Sequence, residues 1–205
     1  MLLHWSPRSP YVRKVLIAAH ELGLADKIKC VRTVVSPFKP ADELFADNPM
    51  NKLPTLVLDD GTALFDNRVI CEYLDTLHAG PKLFPAHGRE RFLSLRNQAL
   101  GDGLLDIAMM RLIERLKPAE QRSPEIIDSN ERKTIATLDR LEADVAQLTD
   151  RPYDIGHVAI GTGLGYLDFR FGDDGWRDGR NRLADWHAQF VARPAVVACP
   201  VRDDS

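Results

Sequence analysis

Cysteine is scarce in this chain, and Cys30, Cys71 and Cys199 are the only three. An odd number, so far apart, builds neither a disulfide framework nor a Cys-x-x-Cys redox or zinc site within the chain. The six histidines, at 4, 20, 78, 87, 157 and 187, show no ligand spacing, so no metal is expected. Long apolar runs are missing too. No stretch approaches the ~20 residues that a membrane-spanning helix requires. The opening Met1-Leu2-Leu3-His4-Trp5 reaches Pro7 and Arg8 too soon for a signal-peptide core. An excess of positive charge is also absent: 27 Lys and Arg against 30 Asp and Glu leave −3, which gives no electrostatic reason to expect nucleic acid. With 44% apolar residues, wholesale disorder is excluded. A cytoplasmic enzyme or binding protein with reduced thiols and no membrane partner is the expectation.

What is present divides into two halves. The 205 residues suffice for one large domain or two small ones. Leu2 to Trp5 reads as a buried strand. Ser9-Pro10 then starts a helix, since Ser caps the orphan N–H groups and Pro has its φ already set. Val12, Val15, Leu16, Ala19 and Leu22 mark its apolar face, and Gly23 its stop. A second strand is expected over 28–34, which makes a βαβ unit with parallel strands. Thr55-Leu56-Val57-Leu58 and Ala63-Leu64-Phe65 flank Asp59-Asp60-Gly61-Thr62, a hairpin signal. Asn67 is expected to cap a helix that buries Ile70, Tyr73, Leu74 and Leu77. This β-α-β, loop, β-β-α order is that of a thioredoxin-like sheet.

The proline-bounded segment around Pro81-Lys82-Leu83-Phe84-Pro85 reads as a linker. The expected domains are therefore 1–78, a linker over 79–86, and an all-helical bundle over 87–205. In the bundle, Phe92, Leu95 and Ala99 share one face, continued by Leu112, Ile113 and Leu116. Ile135, Leu138, Leu141, Val145 and Leu148 mark a second helix, and two more lie near 154–171 and 180–192.

Four local features in the first half bear on chemistry. Ser9 lies at the positive end of a helix, beside unpaired N–H groups that favour an anion such as a thiolate; it could equally be an N-cap alone. In Asn48-Pro49-Met50-Asn51-Lys52-Leu53-Pro54-Thr55, a cis Pro54 would leave the Leu53 backbone free for an extended peptide. Lys52 would offer a cation, and an ordinary proline turn is the plain alternative. Asp66-Asn67 at a helix start suits an α-amino acid head group, with Asp66 for the ammonium and N–H groups for the carboxylate, or it is simply a cap. Near Ser9 there is no cysteine, which excludes dithiol chemistry there.

In this order and spacing, these residues resemble the cytosolic glutathione transferases over the whole chain. Ser9-Pro10-Tyr11-Val12-Arg13-Lys14-Val15 is similar to the catalytic serine segment of bacterial and plant members. The Asn48 to Pro54 run resembles the glutathione-binding loop, and Asp66-Asn67 the acid-Ser signature. Gly165-Tyr166-Leu167-Asp168-Phe169-Arg170 and Ala192-Arg193-Pro194 resemble a bacterial branch of the family. The resemblance implies that Ser9 hydrogen-bonds the glutathione sulfur and Leu53 pairs with the cysteinyl backbone. It implies that Lys52 approaches the glycyl carboxylate, while Asp66 and Asn67 hold the γ-glutamyl end beside Pro54. Trp5, Pro7, Arg8 and Tyr11, with Leu104, Met109, Arg111 and Tyr166 from the second half, would line an electrophile site. A homodimer active in detoxification, without cofactor beyond glutathione, is the implied whole. A non-catalytic regulatory relative is the alternative, as is a glutathione-dependent reductase or isomerase, though that usually goes with cysteine at position nine.

Three departures stand out. Asn67 replaces the usual Ser or Thr, and Ser6 could compete with Ser9. Asp154-Ile155-Gly156-His157 replaces a Ser/Thr-x-x-Asp capping box; His157 is not expected to return the second bond, at some loss of stability. Gly161-Thr162-Gly163-Leu164-Gly165 lacks the spacing of a phosphate loop and reads as close helix packing. Met109-Met110 reads as core or cleft lining, and the charges over 125–140 as a solvated face.

Overall fold

Leu2–Trp5 forms strand β1, and the computed structural model, which describes residues 1–36 and 38–204, builds its first unit around it. Ser9 caps helix α1 (Pro10–Glu21), its hydroxyl accepting from the Val12 N–H at 3.3 Å. Gly23, at φ +66°, supplies the left-handed turn that ends α1, a conformation glycine adopts at little cost. Strand β2 (Lys29–Arg32) then pairs parallel with β1. It is shorter than the expected 28–34 and largely exposed, because it is the edge of the sheet. Strands β3 (Thr55–Val57) and β4 (Ala63–Leu64) complete an order β2-β1-β3-β4. β3 runs antiparallel to β1 and to β4, with His4 opposite Thr55 and Leu56 opposite Leu64. Helix α2 (Asn67–Thr76) packs on α1.

The chain divides into two compact units, 1–86 with 194–205, and 87–193. This corrects the expected grouping at two points. The segment expected as a linker belongs to the first unit, because the Asp75 carboxylate accepts the Leu83 and Phe84 N–H groups at 2.7 and 3.4 Å and both side chains are buried. Residues 194–205, expected in the bundle, also return to the first unit, where Arg13 Nε donates to the Cys199 carbonyl at 2.8 Å.

The second unit is helical: α3 (Gly88–Leu116), α4 (Pro124–Thr149), α5 (Ile155–Phe171) and α6 (Asn181–Val191). α5 is buried along most of its length. Its glycines serve close packing: a Cβ on Gly161 would lie 2.4 Å from the Phe190 ring, and one on Gly163 3.2 Å from the Gly101 carbonyl. A Cβ on Gly101 of α3 would meet the Ala159 backbone at 2.3 Å. That approach decides which face of α3 turns inward. Ser94, Asn97, Gln98 and Gly101 are buried, whereas Phe92 is 71% exposed, the reverse of the expected apolar face. On α4 the expected Leu138, Leu141, Val145 and Leu148 are buried, but Ile135 is exposed.

The start of α5 corrects a second expectation. Asp154 accepts from the Gly156 and His157 N–H groups at 2.9 and 3.3 Å, and His157 Nδ1 accepts the Asp154 N–H at 3.1 Å. His157 therefore does return the second bond of a capping box. Nε2–H donation to the Leu148 carbonyl at 2.8 Å leaves Nδ1 free to accept. Burial pushes the Asp154 carboxyl up. Hydrogen bonding at the helix start and the Arg151 charge outweigh this and hold it below its ordinary value.

Candidate functional site

The topology of the sheet brings the expected binding residues to one end. β1 is the point where the strand order reverses, with β2 on one side and β3 on the other. In open α/β sheets, ligands bind outside the carboxyl ends of strands at such a switch point. The carboxyl end of β1 leads into Ser9 and the start of α1. The antiparallel β3 begins at that same end, so Leu53 and Pro54 lie there. β4 ends there too, and hands the chain to Asp66 and the start of α2. Two helix N-termini and one unpaired strand entrance thus share a rim.

Each element of that rim is held by its own residues. Asn48, fully buried, organises the loop before β3. Its Nδ2 donates to the Lys52 carbonyl at 3.1 Å and to Thr55 Oγ1 at 2.9 Å, while its Oδ1 accepts from the Met50 N–H at 3.0 Å. The Leu53–Pro54 bond is cis, as is Phe65–Asp66. The Leu53 backbone N–H and C=O have no partner among the described residues. Lys52 is exposed, and among the described residues its ammonium pairs with nothing.

At α2 the structure reassigns the cap. Asp66, not Asn67, is the N-cap, with Oδ1 accepting the Arg68 N–H at 2.9 Å. Asp66 is exposed, which leaves carboxylate lone pairs facing solvent. Asn67 is the first helical residue and is buried, its Oδ1 accepting from Lys14 Nζ at 2.7 Å. The sequence reading missed Lys14, a fully buried ammonium on α1. Its place one turn before Ile17 and Ala18, both buried, was the available signal. This contact ties α1 to the first residue of α2, and so links the two helix starts of the rim.

The two candidate serines differ. Ser9 Oγ accepts from Val12, and its proton has no acceptor among the described residues, so the hydroxyl is free to donate. Ser6 is buried and faces a cavity of about 190 Å³ that Cys199 and Pro200 also line. Of the residues expected around an electrophile, Trp5, Pro7, Arg8 and Tyr11 are half-buried in the first unit. In the second unit Leu104 and Tyr166 are 1% and 2% exposed, and Arg111 is committed to Asp174 at 2.5 Å. Leu104 and Tyr166 are packed core residues, while Arg111 lines a cavity of about 290 Å³ with Leu138, Phe171 and Trp176; Met109, half-buried, accepts from the Tyr166 hydroxyl at 3.2 Å. Burial pushes the Cys199 thiol up to about 11, against a partly opposing Arg13 charge. Burial raises Cys30 as well. Both shifts favour the neutral thiol over the thiolate. Among the described residues no group of His, Cys, Asp or Glu is arranged to hold a metal ion.

Residues 8–77 match the family model described as glutathione S-transferase, N-terminal domain. A solved structure of a glutathione transferase family member from Pseudomonas fluorescens Pf-5, with bound glutathione, superposes with a TM-score of 0.94. It is 36% identical and covers 98% of this chain and 99% of its own. The chain belongs to the glutathione S-transferase family. It is also 29% identical over 199 residues to the uncharacterized GST-like protein YibF of Escherichia coli (strain K12), covering 96% of each. Over 90 residues, 42% of this chain and 40% of the relative, it is 39% identical to a stringent starvation protein A homolog of Pasteurella multocida (strain Pm70).

Proposed function

We propose that the protein is a serine-type glutathione transferase that activates the thiol of glutathione for attack on a small electrophile. The observation that carries this is the Ser9 hydroxyl, which accepts from its own helix and so has its proton to give. A sulfur placed there receives that proton in a hydrogen bond and lies at the positive end of α1. Lowering a thiol from about 8.5 by two units takes about 2.7 kcal/mol of preference for the thiolate. One charge-assisted hydrogen bond contributes roughly 1.5–3 kcal/mol, enough with the helix end. The unpaired Leu53 backbone takes the cysteinyl residue as an added strand. Lys52 meets the glycyl carboxylate, and Asp66 the γ-glutamyl ammonium. Asn67 is turned toward Lys14, so the α2 N–H groups rather than its side chain take the γ-glutamyl carboxylate.

In the reaction the thiolate lone pair forms a bond to the electrophilic carbon, and the leaving group departs with its bonding pair. Holding both reactants together supplies the rest of the rate. A homodimer, a cytoplasmic location and a role in detoxification belong to the same reading. The test is calorimetric titration with glutathione, followed by turnover with a chloronitrobenzene in wild type and Ser9→Ala. Binding at about millimolar or tighter with a large loss of turnover in the variant supports the reading. Unchanged turnover in Ser9→Ala, with loss in Ser6→Ala, moves the role to Ser6.

The likeness to the stringent starvation protein A homolog favours one other reading, a binding protein that regulates without turnover. Glutathione binding with no turnover of any electrophile would select it. A reductase or isomerase reading has less support, since serine rather than cysteine caps α1.

A further inference from the structure

Two guanidinium groups converge on one carboxylate at the same sheet end. Arg8 Nε pairs with Asp204 Oδ1 at 2.9 Å, and Arg32 reaches Asp204 Oδ2 through Nε at 2.8 Å and its terminal nitrogen at 2.6 Å. Arg8 immediately precedes Ser9, and Arg32 ends β2 directly opposite Trp5 at the end of β1. The pair therefore stands at the carboxyl ends of the two parallel strands, where the thiolate site begins. Asp204 arrives from the segment that follows Cys199, which crosses the turn over 6–9 and donates the Arg202 N–H to the Pro7 carbonyl at 3.4 Å. Trp5, Pro7 and Leu16 line the cavity of about 190 Å³ together with Cys199, Pro200 and Arg202 of that segment.

Resting on the glutathione-transferase reading, we infer that Arg8 and Arg32 form a receptor for a carboxylate on the second substrate, which Asp204 fills when that substrate is absent. The substrate class is then an electrophile that carries a carboxylate on a small apolar skeleton. All three side chains are about 30% exposed, so the internal pair is solvent-screened and weakly held. An incoming carboxylate exchanges for Asp204 with little net loss, since the paired fork geometry suits any carboxylate. In the conjugate, where that carboxylate is joined to the glutathione sulfur, it is presented at high effective concentration, which offsets the tethering of Asp204. The apolar walls of the cavity accept the skeleton as the segment lifts.

The test compares S-(2-carboxyethyl)glutathione with S-propylglutathione by calorimetry in wild type, Asp204→Asn and the double variant Arg8→Gln/Arg32→Gln. Glutathione itself is titrated alongside. The expected affinity ratio, acid over neutral, rises about fivefold in Asp204→Asn, where the competing charge is gone, and falls to one in the double variant. A ratio unchanged by Asp204→Asn, with glutathione still bound, overturns this inference and leaves the transferase reading standing. If neither glutathione nor S-propylglutathione binds wild type, both fall together. Should the double variant fold poorly by circular dichroism, Arg8→Gln alone decides, with a ratio reduced below wild type expected.

Discussion

The two units spend their polar groups in opposite ways. In the first, the groups at the sheet end are left partly open. Asp66 keeps lone pairs for solvent, Lys52 has no partner among the described residues, and Leu53 has an unpaired backbone. In the second, Asp154 and Asp168 each take several donors. Asp154 is held by two N–H groups and by Arg151. Asp168 accepts from Trp176 at 2.7 Å and from both ends of the Arg177 guanidinium at 2.5 and 2.8 Å. Burial of the Asp168 carboxyl pushes it up, and these donors hold it below its ordinary value. A buried polar group is costly unless paired, so saturation serves a packed core. An open group at a rim costs little and is available to a ligand. The contrast is between open groups at one sheet end and multiply bound carboxylates in the helical unit.

The contrast can be broken most severely at the helix crossing. Gly101→Val puts a branched side chain where even a Cβ lies 2.3 Å from the Ala159 backbone. A loss of about 3 kcal/mol or more is expected in denaturant unfolding, since overpacking against backbone cannot relax cheaply. Next comes Asp154→Ala, which removes the cap and takes the buried carboxylate partner from Arg151; about 3 kcal/mol should be lost. The pH dependence follows from the direction of its shift. A carboxyl held lower in the folded state stabilises above its unfolded value of about 3.9, and that contribution fades as pH falls through the folded value. Unfolding followed from pH 6 to pH 2 (about the range of these groups) should show this acid loss in wild type, and less of it in Asp154→Asn.

The rim responds in chemistry more than in stability. Ser9→Ala should lower kcat/KM about 100-fold, the scale for removing one donor to a developing or resting anion. The lost cap costs about 1 kcal/mol of stability, so rates are compared well below the melting point. The smallest effect belongs to Lys52→Ala, where one exposed cation is removed. Glutathione affinity should fall about fivefold, less at high salt, with kcat unchanged. A large stability loss in Lys52→Ala, or a large change of glutathione affinity in a folded Asp154→Asn, would erase the distinction between the units.

Local signals carried much of this fold. Ser9-Pro10 announced α1 through capping chemistry and a fixed φ, and Asp59 to Thr62 announced the β3–β4 hairpin. Both depend on residues close in sequence. The leucines of α4 marked their face because that face meets ordinary apolar side chains. α3 did not follow the same rule, since Gly101 must touch the Ala159 backbone and this turns Ser94, Asn97 and Gln98 inward. The candidate site divided the same way. Ser9, Leu53, Pro54 and Asp66 were legible from their local pattern, while Lys14 was not, because its partner Asn67 is distant in the chain. His157 was misjudged for want of geometry: only a folded helix start shows that Nδ1 reaches the Asp154 N–H.

By itself the sequence determined the α1 cap and stop and the hairpin turn, and with them the order of elements that places a hydroxyl at a helix start. Propensity and hydrogen bonding to near neighbours suffice for that. The tertiary structure decided which groups were paired and which left open. It drew Asn67 inward to Lys14, returned residues 194–205 to the first unit, and set Asp204 between Arg8 and Arg32. Those outcomes turn on burial and on partners far apart in the chain, which no local pattern encodes.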